Sequence, residues 1–223
     1  MTNCVLVVAA HTDDEALGCG GTIARHVAEG DAVYAVFMAD GVTSRAGADQ
    51  EDLLGRNAAA ENAREILGIK ENFYLGLPDN RMDSIPLIDV VQKLEPYIKK
   101  LKPDIVYTHH HGDLNVDHRV THQAVTTACR PMPGSSVWAI YAFEVVSSTE
   151  WATPGVDPFL PNHYVDVGSH LHLKIKALKA YQIEMREPPH SRSIEHTEYL
   201  AYHHGHSVGV RAAEAFMTIR AIR

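Results

Sequence analysis

Cysteine is scarce: Cys4, Cys19 and Cys129 are the only three among 223 residues, widely spaced and with no CxxC pair. An odd, scattered set argues against a disulfide framework or a cysteine zinc knuckle and fits a reducing cytosol. Lysine and arginine never form a dense block, and the formal net charge is −8 with histidine neutral. Nucleic-acid and anionic-membrane binders usually carry such a block, so neither partner is expected. The N-terminal apolar run has no positive charge before it and breaks at His11. It is too short for a signal-peptide core or a membrane span, so a soluble, cytoplasmic chain without membrane insertion is expected. Phosphate-loop spacings are missing as well: "GCGGT" at 18–22 has neither GxGxxG nor GxxxxGK[ST] and reads better as close helix–sheet packing.

What is present suits one domain over residues 1–223, with a 45% hydrophobic composition ample for a core. Residues 4–10 form a continuous apolar strand, as in parallel sheets covered on both faces. A helix over 15–29 follows, stopped at Gly30, and then a second strand over 32–39. The polar loop "DGVTSRAGAD" leads to an amphipathic helix at 51–68, a strand at 72–77, a helix over about 84–101, a strand at 103–109 and a helix over roughly 117–129. Four strand-then-helix units in a row predict an α/β fold: a doubly wound, mostly parallel, Rossmann-like sheet. Beyond residue 130 the alternation weakens, with loop-rich "PMPGSS" and "WATPGVDPFLPN", a helix over 169–185 and a break at "PPHSRS". The C-terminal third is expected to be irregular.

Sites in such sheets form in the crevice outside the carboxyl ends of the strands. Three polar groups sit there: His11, Asp13 and Asp14; Asp40, Ser44 and Arg45; and His109 through His118. If the first and fourth strands flank one crevice, His11, Asp14 and His118 converge. Two imidazoles and a carboxylate suit Zn²⁺ with a fourth position left for water. Asp13, adjacent but pointing elsewhere, can then act as general base. Plain helix capping by "DDE" competes with this reading. His118 and His122, spaced i, i+4, could form a two-histidine face, or one of them could simply be solvated. Of the 15 histidines, those at 109–111 cannot all face one crevice, and His203, His204 and His206 read as a polar helix end.

These residues carry a family resemblance. "AHTDDEALGCGGT" resembles the AHPDDE motif of the LmbE/PIG-L-type N-deacetylases (GlcNAc-PI de-N-acetylase-like), and "DLNVDHRVTHQAV" resembles their HPDH motif. "DGVTSR" is similar to the family's substrate-loop segment, and "PPHSRS…GHSVGVRAAEAF" to the tail of sugar-directed bacterial members. The resemblance implies that His11, Asp14 and His118 hold one Zn²⁺ per chain and that Asp13 is the base. It also implies that Asp117 is the carboxylate orienting a neighbouring group beside the metal. Thr12 replaces the usual proline, which supplies no chemistry. Asn115 replaces the first histidine of HPDH, a donor to the developing oxyanion. Asparagine donates a hydrogen bond but transfers no proton. His110 and His190 are therefore the candidates for the missing proton-transfer group, His190 also reaching the substrate or a neighbouring subunit in a homo-oligomer. Arg45 is expected on a substrate hydroxyl or anionic group.

The function expected is zinc-dependent removal of an acetyl group from the nitrogen of an amino sugar, a small-molecule carbohydrate. Alternatives are an amidase acting on a thiol-precursor glycoside or an antibiotic sugar, a nucleotide-binding α/β module in which "DDE" only caps a helix, and a pseudoenzyme.

Overall fold

The apolar run Cys4–Ala9 forms β1, and its residues from Val5 to Ala9 are fully buried. A computed structural model of the chain, describing residues 2–44, 47 and 50–222, places this strand near the middle of the sheet. After it come α1 (Asp14–Ala28), β2 (Ala32–Ala39), α2 (Gln50–Leu67), β3 (Glu71–Leu77), α3 (Leu87–Leu101), β4 (Ile105–His109) and α4 (Val116–Ala128). The last third adds β5 (Ala139–Phe143), β6 (His163–Asp166), α5 (Leu171–Ala180), α6 (Ile194–Ser207) and β7 (Ala213–Ala221).

The seven strands run in the order β3-β2-β1-β4-β5-β7-β6, parallel from β3 to β5, with β7 antiparallel to both of its neighbours. Alternate side chains of β1 feed opposite cores, as the two-residue strand period requires. Val5, Val7 and Ala9 pack with residues of α1, α2, α5 and α6, whereas Leu6 and Val8 pack with α3 and α4. The sheet is thus doubly wound. Between β1 and β4 the chain order reverses, which opens the crevice where ligands bind in such sheets. The C-terminal third is less irregular than expected, because β5, β6 and β7 extend the same sheet.

Helix α1 is broken at Cys19, where φ is −146° and ψ is 25°. Side chains from far along the sequence satisfy the freed backbone groups. Lys174 Nζ donates to the Leu17 carbonyl at 2.7 Å, while Glu214 accepts from the amides of Gly21 (3.0 Å) and Thr22 (2.6 Å). The two side chains also pair with each other at 2.6 Å, both nearly inaccessible to water. The glycines here permit close approach, as "GCGGT" predicted. A Cβ on Gly18 would meet the Phe143 ring, with Cγ only 2.6 Å away, and one on Gly21 would meet Val167 at 2.9 Å.

Gly18→Ala is therefore expected to overpack this contact and lower stability by about 1–3 kcal/mol. Chemical denaturation measures the loss, and an unchanged midpoint would show that the ring moves aside freely.

Candidate active site

All five parallel strands deliver polar residues to one cavity of about 170 Å³. His11, Asp13 and Asp14 follow β1, Ser44 follows β2, and Asp79 and Asn80 follow β3. Asn115 and His118 come from the β4–α4 junction, and Ser147 and Ser148 from beyond β5. Arg192 arrives from the α5–α6 connection.

Donor atoms of His11, Asp14 and His118 lie within 4.8 Å of one another. His11 Nδ1 and His118 Nε2 each sit 3.3 Å from Asp14 Oδ2. Tetrahedral zinc, with bonds of about 2.0–2.1 Å, separates its ligands by about 3.3 Å, so the donor set and its spacing fit that ion. The opposite nitrogen of each ring faces a carboxylate, the arrangement that orients metal-binding imidazoles. His11 Nε2 lies 3.1 Å from both Asp117 Oδ2 and Asp79 Oδ1. His118 Nδ1 lies 3.1 Å from Asp113 Oδ1, in ion-pair contact but off the hydrogen-bond line. Burial disfavours a charged His118 ring, yet the Asp14 and Asp113 carboxylates override it and raise the ring to about 9. The cluster attracts positive charge.

Asp13 is held apart from this set. Its φ of 112° is a left-handed conformation costing about 1–3 kcal/mol for a residue with a side chain. The turn lets the Asp13 carbonyl accept from Ala16 and Leu17 while its side chain makes no cap hydrogen bond. Capping therefore does not explain Asp13. The Asp13 carboxylate instead pairs with Arg192 at 3.0 Å. Burial, partly offset by Arg192 and reinforced by Asp14, raises Asp13 to about 6. Arg56 braces the same turn, donating to the Thr12 carbonyl at 2.9 Å and pairing with Glu184 at 2.8 Å.

The remaining sequence expectations divide. Asp117 is fully buried and accepts from the amides of Asn80 (2.7 Å) and Met82 (3.0 Å) as well as facing His11. Asn115 lines the cavity, but its amide is engaged: Oδ1 caps α4 by accepting from the Asp117 amide, and Nδ2 donates to Asn80. His110 does not line the cavity. Its Nε2 lies 2.7 Å from the Asp157 carbonyl, and its ring packs on Phe159. His190 also stays outside, since its Nδ1 accepts from the Arg192 amide and its ring packs against Trp151. The tail segment instead projects Arg192 into the site. His122 turns to the His109 carbonyl at 2.8 Å, and His109 stacks under His118 with ring centroids 3.9 Å apart. Arg45 lies outside the described residues.

Sequence reasoning missed Asp113, Asp79, Arg56 and Arg192. Asp113 was the most legible of these, an acidic residue between His109 and His118. It is buried, accepts from Ser148, from Thr149 at 2.6 Å and from the Asn115 amide at 2.8 Å, and faces His118. Asp113→Ala strands those donors and is expected to cost roughly 3–5 kcal/mol, read by denaturant midpoint. A loss under 1 kcal/mol would mean that water replaces the carboxylate.

The sequence profile of the family described as PIG-L: GlcNAc-PI de-N-acetylase matches residues 6–129. The chain is 32% identical to the uncharacterized deacetylase YaiS of Escherichia coli, covering 80% of this chain and 90% of that one. It is 27% identical to the 1D-myo-inositol 2-acetamido-2-deoxy-alpha-D-glucopyranoside deacetylase of Thermobispora bispora, covering 82% and 80%. Among solved structures, N,N'-diacetylchitobiose deacetylase from Pyrococcus horikoshii superposes with a TM-score of 0.78 at 22% identity, over 98% of this chain and 84% of that one. The 4-carboxy-2-hydroxymuconate hydratase GalB of Pseudomonas putida superposes with a TM-score of 0.79 at 22% identity, over 100% and 98%. At such identities the structures show a shared fold, and one fold hosts more than one named activity. Sequence similarity and fold together place the chain: it belongs to the PIG-L (GlcNAc-PI de-N-acetylase) family of deacetylases.

Proposed function

We propose that this family member is a zinc-dependent hydrolase that removes the acetyl group from the nitrogen of an N-acetylated amino sugar. The observation that carries the reading is the convergence of His11 Nδ1, His118 Nε2 and Asp14 Oδ2, with the Asp13 carboxylate beside them and outside that donor set. His11, Asp14 and His118 would hold one zinc ion. Bound there, zinc supplies a Lewis acid that makes water nucleophilic at neutral pH and polarises the amide carbonyl. Asp13 accepts the proton of the attacking water. Its pairing with Arg192 at the cavity wall limits its basicity.

Proton delivery to the leaving amine falls to Asp13 as well, because neither His110 nor His190 lines the cavity. Asp13 would thus be base first and acid second, as microscopic economy in a two-step hydrolysis allows. Asn115 and Asn80 together hold the wall of the cavity, with Asp79 and Ser44 beside them as partners for sugar hydroxyls. The polar lining suits a carbohydrate. No helix is long and apolar enough to cross a membrane among the described residues. The three cysteines are unpaired, which supports a reducing, cytosolic location.

Two measurements test the assignment. Asp13→Asn is expected to retain zinc yet lose about 10²–10⁴ in acetate release from an N-acetylglucosaminide. Loss of zinc in that variant, with Asp14→Asn still metallated, would exchange the two roles. Asp117→Asn is expected to weaken zinc by about 10–100-fold through misorientation of His11. Competition with a chromogenic chelator reads it, and unchanged affinity would remove Asp117 from the metal site.

A further inference from the structure

His109 closes β4 fully buried, and no step of the hydrolysis uses it. Its ring nevertheless reaches each part of the metal-binding set. Nε2 accepts from the Ala10 amide at 2.8 Å, one residue before His11. The same nitrogen lies 3.5 Å from Asp14 Oδ2. The ring stacks on His118 with 3.9 Å between centroids and 19° between planes, and the Phe143 ring backs it from β5. The pairing of β1 with β4 ends at Val7 and Tyr107. Beyond that pair a side-chain nitrogen, in place of a strand carbonyl, takes the Ala10 amide at the crevice between the two strands.

We propose that His109 is a positioning residue of the metal site: its ring ties the donors after β1, His11 and Asp14, to His118 of α4 at a fixed separation without itself becoming a ligand. The proposal rests on the zinc assignment above. A neutral imidazole has one lone-pair nitrogen and one N–H. With Nε2 accepting from Ala10, the proton belongs on Nδ1 and the lone pair is spent on the backbone. The ring therefore stays off the metal although it lies 3.5 Å from a metal-binding carboxylate. A fourth protein ligand would close a zinc site, whereas hydrolysis needs one position for water. Stacking serves the other side. His118 Nδ1 faces Asp113 and its Nε2 faces Asp14, and the His109 ring fixes the plane in which these contacts lie. A phenylalanine would fill the same volume but strand the buried Ala10 amide, so space filling alone does not account for a histidine here.

His109→Gln and His109→Phe separate the two contacts. The first brings an oxygen toward the Nε2 position and keeps the acceptor without the ring. The second keeps the ring and strands the Ala10 amide. Zinc affinity is read by chelator competition on protein whose fold is checked by circular dichroism. Each variant is expected to bind zinc about 10–100-fold more weakly than wild type, the range typical of residues that orient metal ligands. A loss in one variant alone assigns the role to the contact which that variant removes. Unchanged affinity in both, whatever the denaturation midpoint, means that the ring only fills space and overturns the proposal. X-ray absorption of the zinc-loaded wild type should count two imidazoles, and a third would make His109 a ligand and overturn it too. Should neither variant fold, ¹⁵N-labelled wild type decides. Nitrogen–nitrogen coupling across the bond from the Ala10 amide to His109 Nε2 should persist on saturation with zinc, and its disappearance overturns the proposal. Wild type that binds no zinc overturns the zinc assignment and this role together, whereas zinc-binding wild type beside unaffected variants overturns only the role of His109.

Discussion

Five carboxylates are buried around one small cavity: Asp13, Asp14, Asp79, Asp113 and Asp117, each at most 3% exposed. Removing that much negative charge from water is tolerable only where positive charge and hydrogen-bond donors are supplied at fixed positions. Much of the surrounding structure answers that demand. Backbone amides of Asn80 and Met82 serve Asp117, hydroxyls of Ser148 and Thr149 serve Asp113, and Arg192 serves Asp13. Asp14 is left with imidazoles on three sides, those of His11, His109 and His118. Neutral imidazoles do not cancel a carboxylate. Either the rings take up protons or a cation sits among them, and the donor spacing suits a divalent metal.

The different partners of the adjacent aspartates go with one backbone angle. With φ positive at Asp13, the chain reverses its side-chain direction between neighbouring positions. Asp14 consequently turns toward the imidazoles while Asp13 turns toward Arg192. A regular helix start would have pointed both carboxylates at the free amides of α1. The local strain is held by Arg56 on the Thr12 carbonyl and by the Asp13 amide donating to Glu15 at 3.0 Å. Tyr181 closes this support by donating to the other Glu15 oxygen at 2.7 Å.

Much of the first 130 residues was legible because buried parallel strands are continuous apolar runs and the first two helices stop at Gly30 and Gly68. The last third hid its strands for physical reasons. β6 is a four-residue edge strand of intermediate burial, and β5 is five residues of AIYAF between loop-rich segments. α6 buries only Thr197, Ala201 and Gly205, small residues that leave no hydrophobic stripe to read. At the site, His11, Asp14 and His118 announced themselves through their place at strand ends. Arg192 did not, because its partner lies 179 residues away and nothing local distinguishes it from a solvated loop arginine. His110 and His190 were attractive as titrating side chains near motifs, yet chain proximity does not determine which side of a loop a ring faces. The aspartates at 79 and 113 carried no local pattern beyond their charge.

The break in α1 has a consequence for how the protein comes into being on the ribosome. Its backbone groups at Leu17, Gly21 and Thr22 are completed by Lys174 and Glu214, not by residues nearby. While the N-terminal half is emerging during synthesis, those partners do not yet exist, and a helix with an unfilled interruption has no reason to hold that bend. Arg192, too, appears late. The aspartates at the front of α1 are among the first residues made, but their final geometry waits for one of the last strands to dock. A nascent chain that has not yet released residue 214 from the exit tunnel therefore lacks the side chains that complete the α1 break.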